Sequence, residues 1–490
     1  MLGFDLGASN GRAMHGAFDG ERLLIDEAHR FPNDPVMVGG TLYWDVLRLF
    51  HEMRQGLHKA ARAGRAPVSI GIDTWGVDFG LLDKAGNLIG NPVHYRDART
   101  ESMLEAAFGI MEKERIFEHT GLAFMQINTL YQLLAMQRAN DPALERARTL
   151  LFAPDLLAYF LTGEVGTEYT IASTGQLTDP RTRGWSAPIA EAFHLPRGLF
   201  TPIHEPGTVR GELRESIRSE LSLPGKTIVV AGSQHDTAAA VAAVPASGPD
   251  FAYISSGTWS LLGAETDAPV ISRGVMGSNY TNEGGVCGKT RVLKNIMGMW
   301  IIQECRRTWL KDGECEDYAG LAALAEQAEP SRSLFDPDDD RFLAPGDMPS
   351  RIREYCVQTG QPVPGTRGQI SRAVYESLAL KYRWAVQRLE KDILGRRVDC
   401  LHIVGGGSNN ALLNRMTAAA VGKPVLAGPG EATAIGNLLV QAMALGEIGS
   451  LRELRAVVAA SFETAEYLPG ETGRWSDAYG RFLGITGLSD

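Results

Sequence analysis

Apolar residues along this chain switch between two spacings. Residues 2–6 form a short apolar run that carries Asp5 and ends at Gly7, and AMHGAF and RLLIDEAHRF flank DGE. That arrangement predicts a strand and then a hairpin, with Asp19 and Gly20 at its turn. Next, Val46, Phe50, Met53, Leu57 and Ala60 recur at steps of three or four, which predicts a helix near Tyr43–Ala63 capped by Gly64. VSIGID (68–73), bounded by Pro67 and a TWG turn, then predicts a buried strand. Strand, hairpin, helix, strand is an α/β opening.

The second half repeats the logic. FAYISSGTWSLLGAE (251–265) reads as strand, Ser/Gly turn and strand. A helical stripe of Ile370, Val374, Leu378, Leu389 and Ile393 runs over roughly 368–394. It is followed by a strand in VDCLHIV (398–404), the turn GGGSNN and a helix in ALLNRMTAAAV. Two α/β domains of related design are therefore expected, 1–245 and 246–490, with the boundary in VPASGPD (244–250). Residues 330–366, rich in Pro, Asp and Gly, read as a long loop region.

Composition removes several classes. In 490 residues, 48 basic against 58 acidic side chains give a net charge of −10 with no basic block, which excludes nucleic acid and anionic membrane as partners. No leader pattern opens the chain and no apolar run of about 18 residues occurs, so a cytoplasmic protein is expected. The five cysteines are odd in number and lack CxxC or zinc spacing, which predicts buried free thiols. Glycine, at 55 residues, is in excess without any collagen period, so glycines are expected at turns and close approaches.

Three glycine-rich turns each follow a predicted strand: DLGASNGR (5–12), SSGTWS (255–260) and IVGGGSNN (403–410). Such turns bring backbone N–H groups close to phosphate oxygens, with Ser9, Ser255, Ser256 and Thr258 as added donors; they also serve as plain tight turns. Asp5, at a strand end, suits the water shell of magnesium as well as a turn. Asp236 lies between TIVVAG and TAAAVAA, a position that fits an N-cap and equally a general base for a hydroxyl. Two look-alikes fail. GGVCGKT (284–290) is one residue short of a P-loop, with Glu283 where glycine is needed. DPDDD (336–340) has Arg341 in place of the calcium-loop glycine and reads as a solvated acidic turn.

Taken together, these segments resemble the FGGY carbohydrate kinase family, essentially end to end. The resemblance is carried by DLGASNGR, GIDTWGVDFGLLD (71–83), YRDART (95–100), QINTLYQL (126–133), SQHDTAAAV (233–241) and YISSGTWSLLG (253–263). TNEGG (281–285), RVLKNIMGMW (291–300), DDRF (339–342), LHIVGGGSNN (401–410) and AGPGEATAIGN (427–437) extend it. TWGVDF and HDTA are similar to the branch that phosphorylates the C1 hydroxyl of L-rhamnulose in L-rhamnose catabolism. The resemblance implies a two-domain α/β fold of the actin-like ATPase (ribonuclease H-like) type with an interdomain cleft, and ATP, Mg2+ and a small sugar as ligands. Position by position it makes Asp236 the proton acceptor and assigns Ala8, Ser9, Asn10, Gly11 and Arg12 to the first phosphate turn. Thr258 falls in the second phosphate turn, and Gln303 and Gly406 fall among the nucleotide contacts. Gly76, His235, Thr237 and Asn295 match sugar contacts, with Trp75 and Asp78 beside them, and Asp5 matches the acidic residue near the metal. Departures are few. Asn10 replaces a second serine, the first strand is short, and the cysteine positions do not match disulfides of relatives. A sibling kinase for L-fuculose or L-xylulose, and a non-catalytic actin-like nucleotide sensor, are the alternatives.

Overall fold

A computed structural model describes residues 1–490 apart from 312, 314, 315, 471 and 490. Strand Leu2–Leu6, buried along its whole length, sits inside a six-stranded sheet. On one side it pairs antiparallel with Asn10–Phe18, which folds back into Leu23–Pro32. Asp19 Oδ1 accepts the N–H groups of Glu21 and Arg22, so the expected hairpin turn is stabilised by its own aspartate. On the other side lies the parallel strand Ser69–Thr74, then Ile228–Ala231 and Thr208–Glu212.

The expected helix runs over Val46–Arg62, with Asp45 accepting from the Arg48 N–H at its start. Val46, Leu49, Met53, Leu57 and Ala60 are buried with Leu2, Phe4, Ile70 and Ile72 of the sheet. Each fully buried aliphatic or aromatic side chain in that layer contributes about 1.5–3 kcal/mol. A second helix, Ala432–Ala444, brings buried Asn437 and Gln441 to the same sheet. Gln441 accepts from Ser69 Oγ and donates to the Leu2 carbonyl.

Two compact units result: Met1–Ser247 with Glu265–Val292 and Ala432–Ser461, and Gly248–Ala264 with Leu293–Glu431 and Phe462–Asp490. The expected boundary at 245/246 falls two residues before the first crossing, and residues 265–292 and 432–461 return to the first unit. In the second unit Phe251–Ser256 pairs antiparallel with Trp259–Thr266 and parallel with Cys400–Val404, which continues to Val425–Ala427 and Ala465–Tyr467. Helix Arg367–Arg388 starts in a capping box of Thr366 and Gln369 and continues as a π-helical turn over Leu389–Leu394.

Three expectations change here. The stretch 330–366 contains helix Met348–Gln358, started by Asp347 as N-cap and Pro349 in the first turn, with Met348, Ile352, Tyr355 and Cys356 buried. The acidic run is not a solvated turn, because Asp336 and Asp338 both pair with the buried ammonium of Lys381. Burial opposes that charge, yet the two carboxylates together hold Lys381 above its ordinary pKa. Of the cysteines, Cys305 and Cys356 are buried free thiols, Cys400 is half-buried and Cys287 is exposed; Cys315 lies outside the described residues.

Candidate active site

The first turn is built at the end of strand Leu2–Leu6. Ala8 and Ser9 are exposed, the Gly7 N–H donates to the Asn10 carbonyl, and Asn33 binds both sides of the loop through Gly7 O and Ser9 O. Gly11 is needed for packing: a Cβ there would come within 2.3 Å of the Phe31 ring. Arg12, on the next strand, pairs with Asp5 at 2.5 Å. Asp5 stands opposite Asp73 in the parallel register, so both carboxyls lie on one side of the sheet. Asp73 is fully buried, takes a 2.5 Å hydrogen bond from Asn437 Nδ2, and its Oδ1 has no partner among the described residues. Burial first, and then the charges of Asp5 and Asp236, hold the Asp73 carboxyl well above the usual range. Asp73 and Asn437 escaped the sequence reading, although an acidic residue inside an apolar strand is a visible signal.

The TWG turn is strained and strapped. Val77 has φ +68°, a conformation that costs a β-branched residue about 1–3 kcal/mol. Thr174 Oγ1 accepts from the Val77 N–H, and Thr129 Oγ1 donates to its carbonyl. Gly76 lies against Thr174 so closely that a Cβ would be at 3.1 Å. Next to it, buried Asp78 collects the indole N–H groups of Trp44 and Trp75, the Tyr95 N–H and the Gln132 amide. Burial raises the Asp78 carboxyl to about 6, and these donors limit the rise. Trp44 lies tilted against Trp75, with ring centroids 3.9 Å apart, and stacks on His94 at 4.1 Å. Trp44 carried no local signal, because Asp78 lies 34 positions away; Gln132 lay in a quoted segment, but only the fold brings its amide to the same carboxylate.

The HDT segment is anchored on three sides. Thr74 N–H donates to the Gln234 carbonyl, Gln234 N–H to Glu168, and His235 N–H to Thr170 Oγ1. Glu168 also accepts both Thr170 donors and the Ile171 N–H; burial nevertheless raises it to about 7. Asp236 opens helix Asp236–Ala242, with His235 as the capping residue. Asp236 Oδ1 accepts from Thr237 N at 2.5 Å and Thr237 Oγ1 at 3.1 Å, and His235 Nε2 lies at 3.4 Å. Asp236 is about one-third exposed, so a solvent-borne molecule reaches it. The first unit thus gathers Asp5, Arg12, Asp73, His235, Asp236 and Thr237 at the ends of adjacent strands.

The second unit holds a parallel arrangement of its own. Gly257 and exposed Thr258 turn between the two paired strands, and their carbonyls accept from Met299 and Trp300 at the start of helix Trp300–Lys311. Gln303 lies in that helix's first turn and is half-buried. Gly405, at φ +84°, leads Gly406 and Gly407 across the neighbouring strand end. A Cβ on Gly407 would sit 1.9 Å from Ser256 Oγ, whereas Gly406 faces open space. Thr258 and Gly406 therefore belong to adjoining turns. Asn295 is half-buried on strand Thr290–Met297.

Comparison with known proteins agrees with this architecture. Family models for the N-terminal and C-terminal domains of the FGGY family of carbohydrate kinases match residues 1–243 and 252–445. The sequence is 47% identical over 478 residues to a rhamnulokinase of Bacteroides thetaiotaomicron, covering 98% of this chain and 97% of that one. It is 41% identical over 468 residues to a rhamnulokinase of Enterococcus faecalis, covering 95% and 93%. Among solved structures, ligand-bound xylulose kinase from Lactobacillus acidophilus has a TM-score of 0.83 at 15% identity, covering 99% and 97%. Plasmodium falciparum glycerol kinase with ADP has a TM-score of 0.78 at 15% identity, covering 100% and 98%. At that identity the two structures establish the two-domain α/β fold alone.

Proposed function

The chain belongs to the FGGY family of carbohydrate kinases, and on that premise we propose that it transfers the terminal phosphoryl group of ATP to the C1 hydroxyl of L-rhamnulose. The observation that carries the sugar is the 47% identity, over nearly the whole length of both chains, to a protein named rhamnulokinase.

Asp236 is the general base of this reading. Its Oδ1 is occupied by Thr237, and no protein donor among the described residues reaches Oδ2, which takes the hydroxyl proton as the oxygen attacks phosphorus. Gly76, His235, Thr237 and Asn295 orient the ketose, and the Trp44–Trp75 pair anchored on Asp78 stiffens the turn that carries Gly76. Ala8, Ser9, Asn10, Gly11 and Arg12 serve the phosphates, as does Thr258; Gln303 and Gly406 serve the rest of the nucleotide. Positioning and fixed dipoles do most of the work in phosphoryl transfer, so rigid turns matter more than reactive side chains.

Magnesium fits the carboxylates present. Asp5 and Asp73 are hard oxygen donors on neighbouring strands, and Asp73 has a buried oxygen without a partner among the described residues. This ion is commonly held by one or two carboxylates together with substrate phosphates. When bound, it neutralises charge on the transferring phosphates.

A coupled ADP-release assay with L-rhamnulose, L-fuculose, L-xylulose, D-xylulose and glycerol tests the substrate. The highest kcat/KM is expected with L-rhamnulose. Better turnover of another ketose refutes the sugar, and no turnover of any acceptor refutes the kinase reading.

A further inference from the structure

We infer that Arg291, held in place by Glu283, is a positioning residue that fixes the imidazole proton of His235 on Nε2 and so makes the two oxygens of Asp236 unequal. Arg291 is completely buried, and its Nε donates to the Gly284 carbonyl at 2.7 Å. Its Nη2 lies 3.0 Å from Glu283 Oε2 and 3.0 Å from His235 Nδ1. A guanidinium keeps its protons and only donates. A proton on Nδ1 would therefore point against an Nη2–H, so Nδ1 accepts and the ring proton sits on Nε2.

Glu283 is the competitor for that nitrogen, with Oε2 3.3 Å from Nδ1. Left without Arg291, this carboxylate would accept an Nδ1–H, and the ring would present a bare Nε2 to Asp236. With Arg291 present the carboxylate is satisfied instead. Burial pushes Glu283 up, but its charged surroundings, the Arg291 guanidinium first among them, outweigh it and keep the carboxyl below its ordinary pKa. The ion pair thus selects a tautomer of the ring.

The consequence reaches the proposed base. With its proton on Nε2, His235 presents the positive end of an N–H dipole 3.4 Å from Asp236 Oδ1, an electrostatic contact beside the two Thr237 hydrogen bonds on that same oxygen. Oδ1 is clamped and Oδ2 is left to take the proton. The other tautomer would set a lone pair against Oδ1 and turn the carboxylate. The kinetic part of this inference rests on the reading of Asp236 as base; the tautomer itself does not.

The test is a two-bond 1H–15N correlation spectrum of the full-length protein labelled with 15N-histidine, with the His235 signals assigned by their loss in His235→Gln. The neutral Nε2–H pattern is expected. An Nδ1–H pattern overturns the inference without any variant of Arg291 having to fold. The double variant Arg291→Met, Glu283→Gln removes both charges together and is checked for a cooperative melt. It should show a mixed tautomer and a kcat at least about tenfold lower, with KM for ATP unchanged. An unchanged tautomer with unchanged kcat in that folded variant overturns the positioning role. Normal turnover in Asp236→Asn would instead refute the base while leaving the tautomer result standing.

Discussion

Asp78 accepts four hydrogen bonds on two oxygens, and burial still lifts its carboxyl to about 6 from an ordinary 3.8. A raised folded-state value means its stabilising contribution is full below about 3.8 and is lost as pH rises through about 6. Urea unfolding of wild type against Asp78→Asn should show the wild type losing about 2 kcal/mol relative to the variant between pH 4 and 7. A pH-independent difference would mean that Asp78 is not the group titrating. The same residue shows what was legible. TWGVDF marked Asp78 as a neighbour of the TWG turn, whereas Trp44 lies 34 positions away and nothing local announces that its indole donates to Asp78. Asp236, His235 and Thr237 were legible as one segment because they are consecutive. Arg291 and Glu283 belong to quoted segments, but only the fold places them on the histidine.

Helix Asp236–Ala242 packs on helix Ala432–Ala444 at a crossing where side chains nearly vanish. A Cβ on Gly436 would sit 1.9 Å from the Ala239 carbonyl, and Ala238, Ala239, Ala240 and Ala242 are all buried. The alanine run, read from sequence as a capped helix, is small because this contact is close. Gly436→Ala should therefore destabilise the fold by about 1–3 kcal/mol and lower kcat by displacing the helix that begins with Asp236. Thermal melts and steady-state rates check both parts; a neutral Tm would show that the crossing yields. Helix Met348–Gln358 was missed because Pro, Asp and Gly dominate its surroundings, although Asp347 followed by Pro349 is itself a helix-start signal.

At the scale of the molecule, hydrophobic spacing located the strands that lead into the glycine-rich turns and a few of the long helices, left most elements between residues 80 and 225 unread, and did not report which unit each joins. Residues 265–292 and 432–461 return to the first unit. That return lets Arg291 approach His235, and Asn437 approach Asp73. A net charge of −10 likewise describes the surface as a whole, while Arg12 and the turn amides are local. Phosphoryl transfer to L-rhamnulose with Asp236 as base is what a single pair of rates can decide. The most direct measurement is the rate of L-rhamnulose 1-phosphate formation by wild type and Asp236→Asn at saturating ATP. Wild type should turn over readily and the variant should lose about 10²–10⁴-fold, with ATP still bound. Near-normal turnover by Asp236→Asn would contradict it.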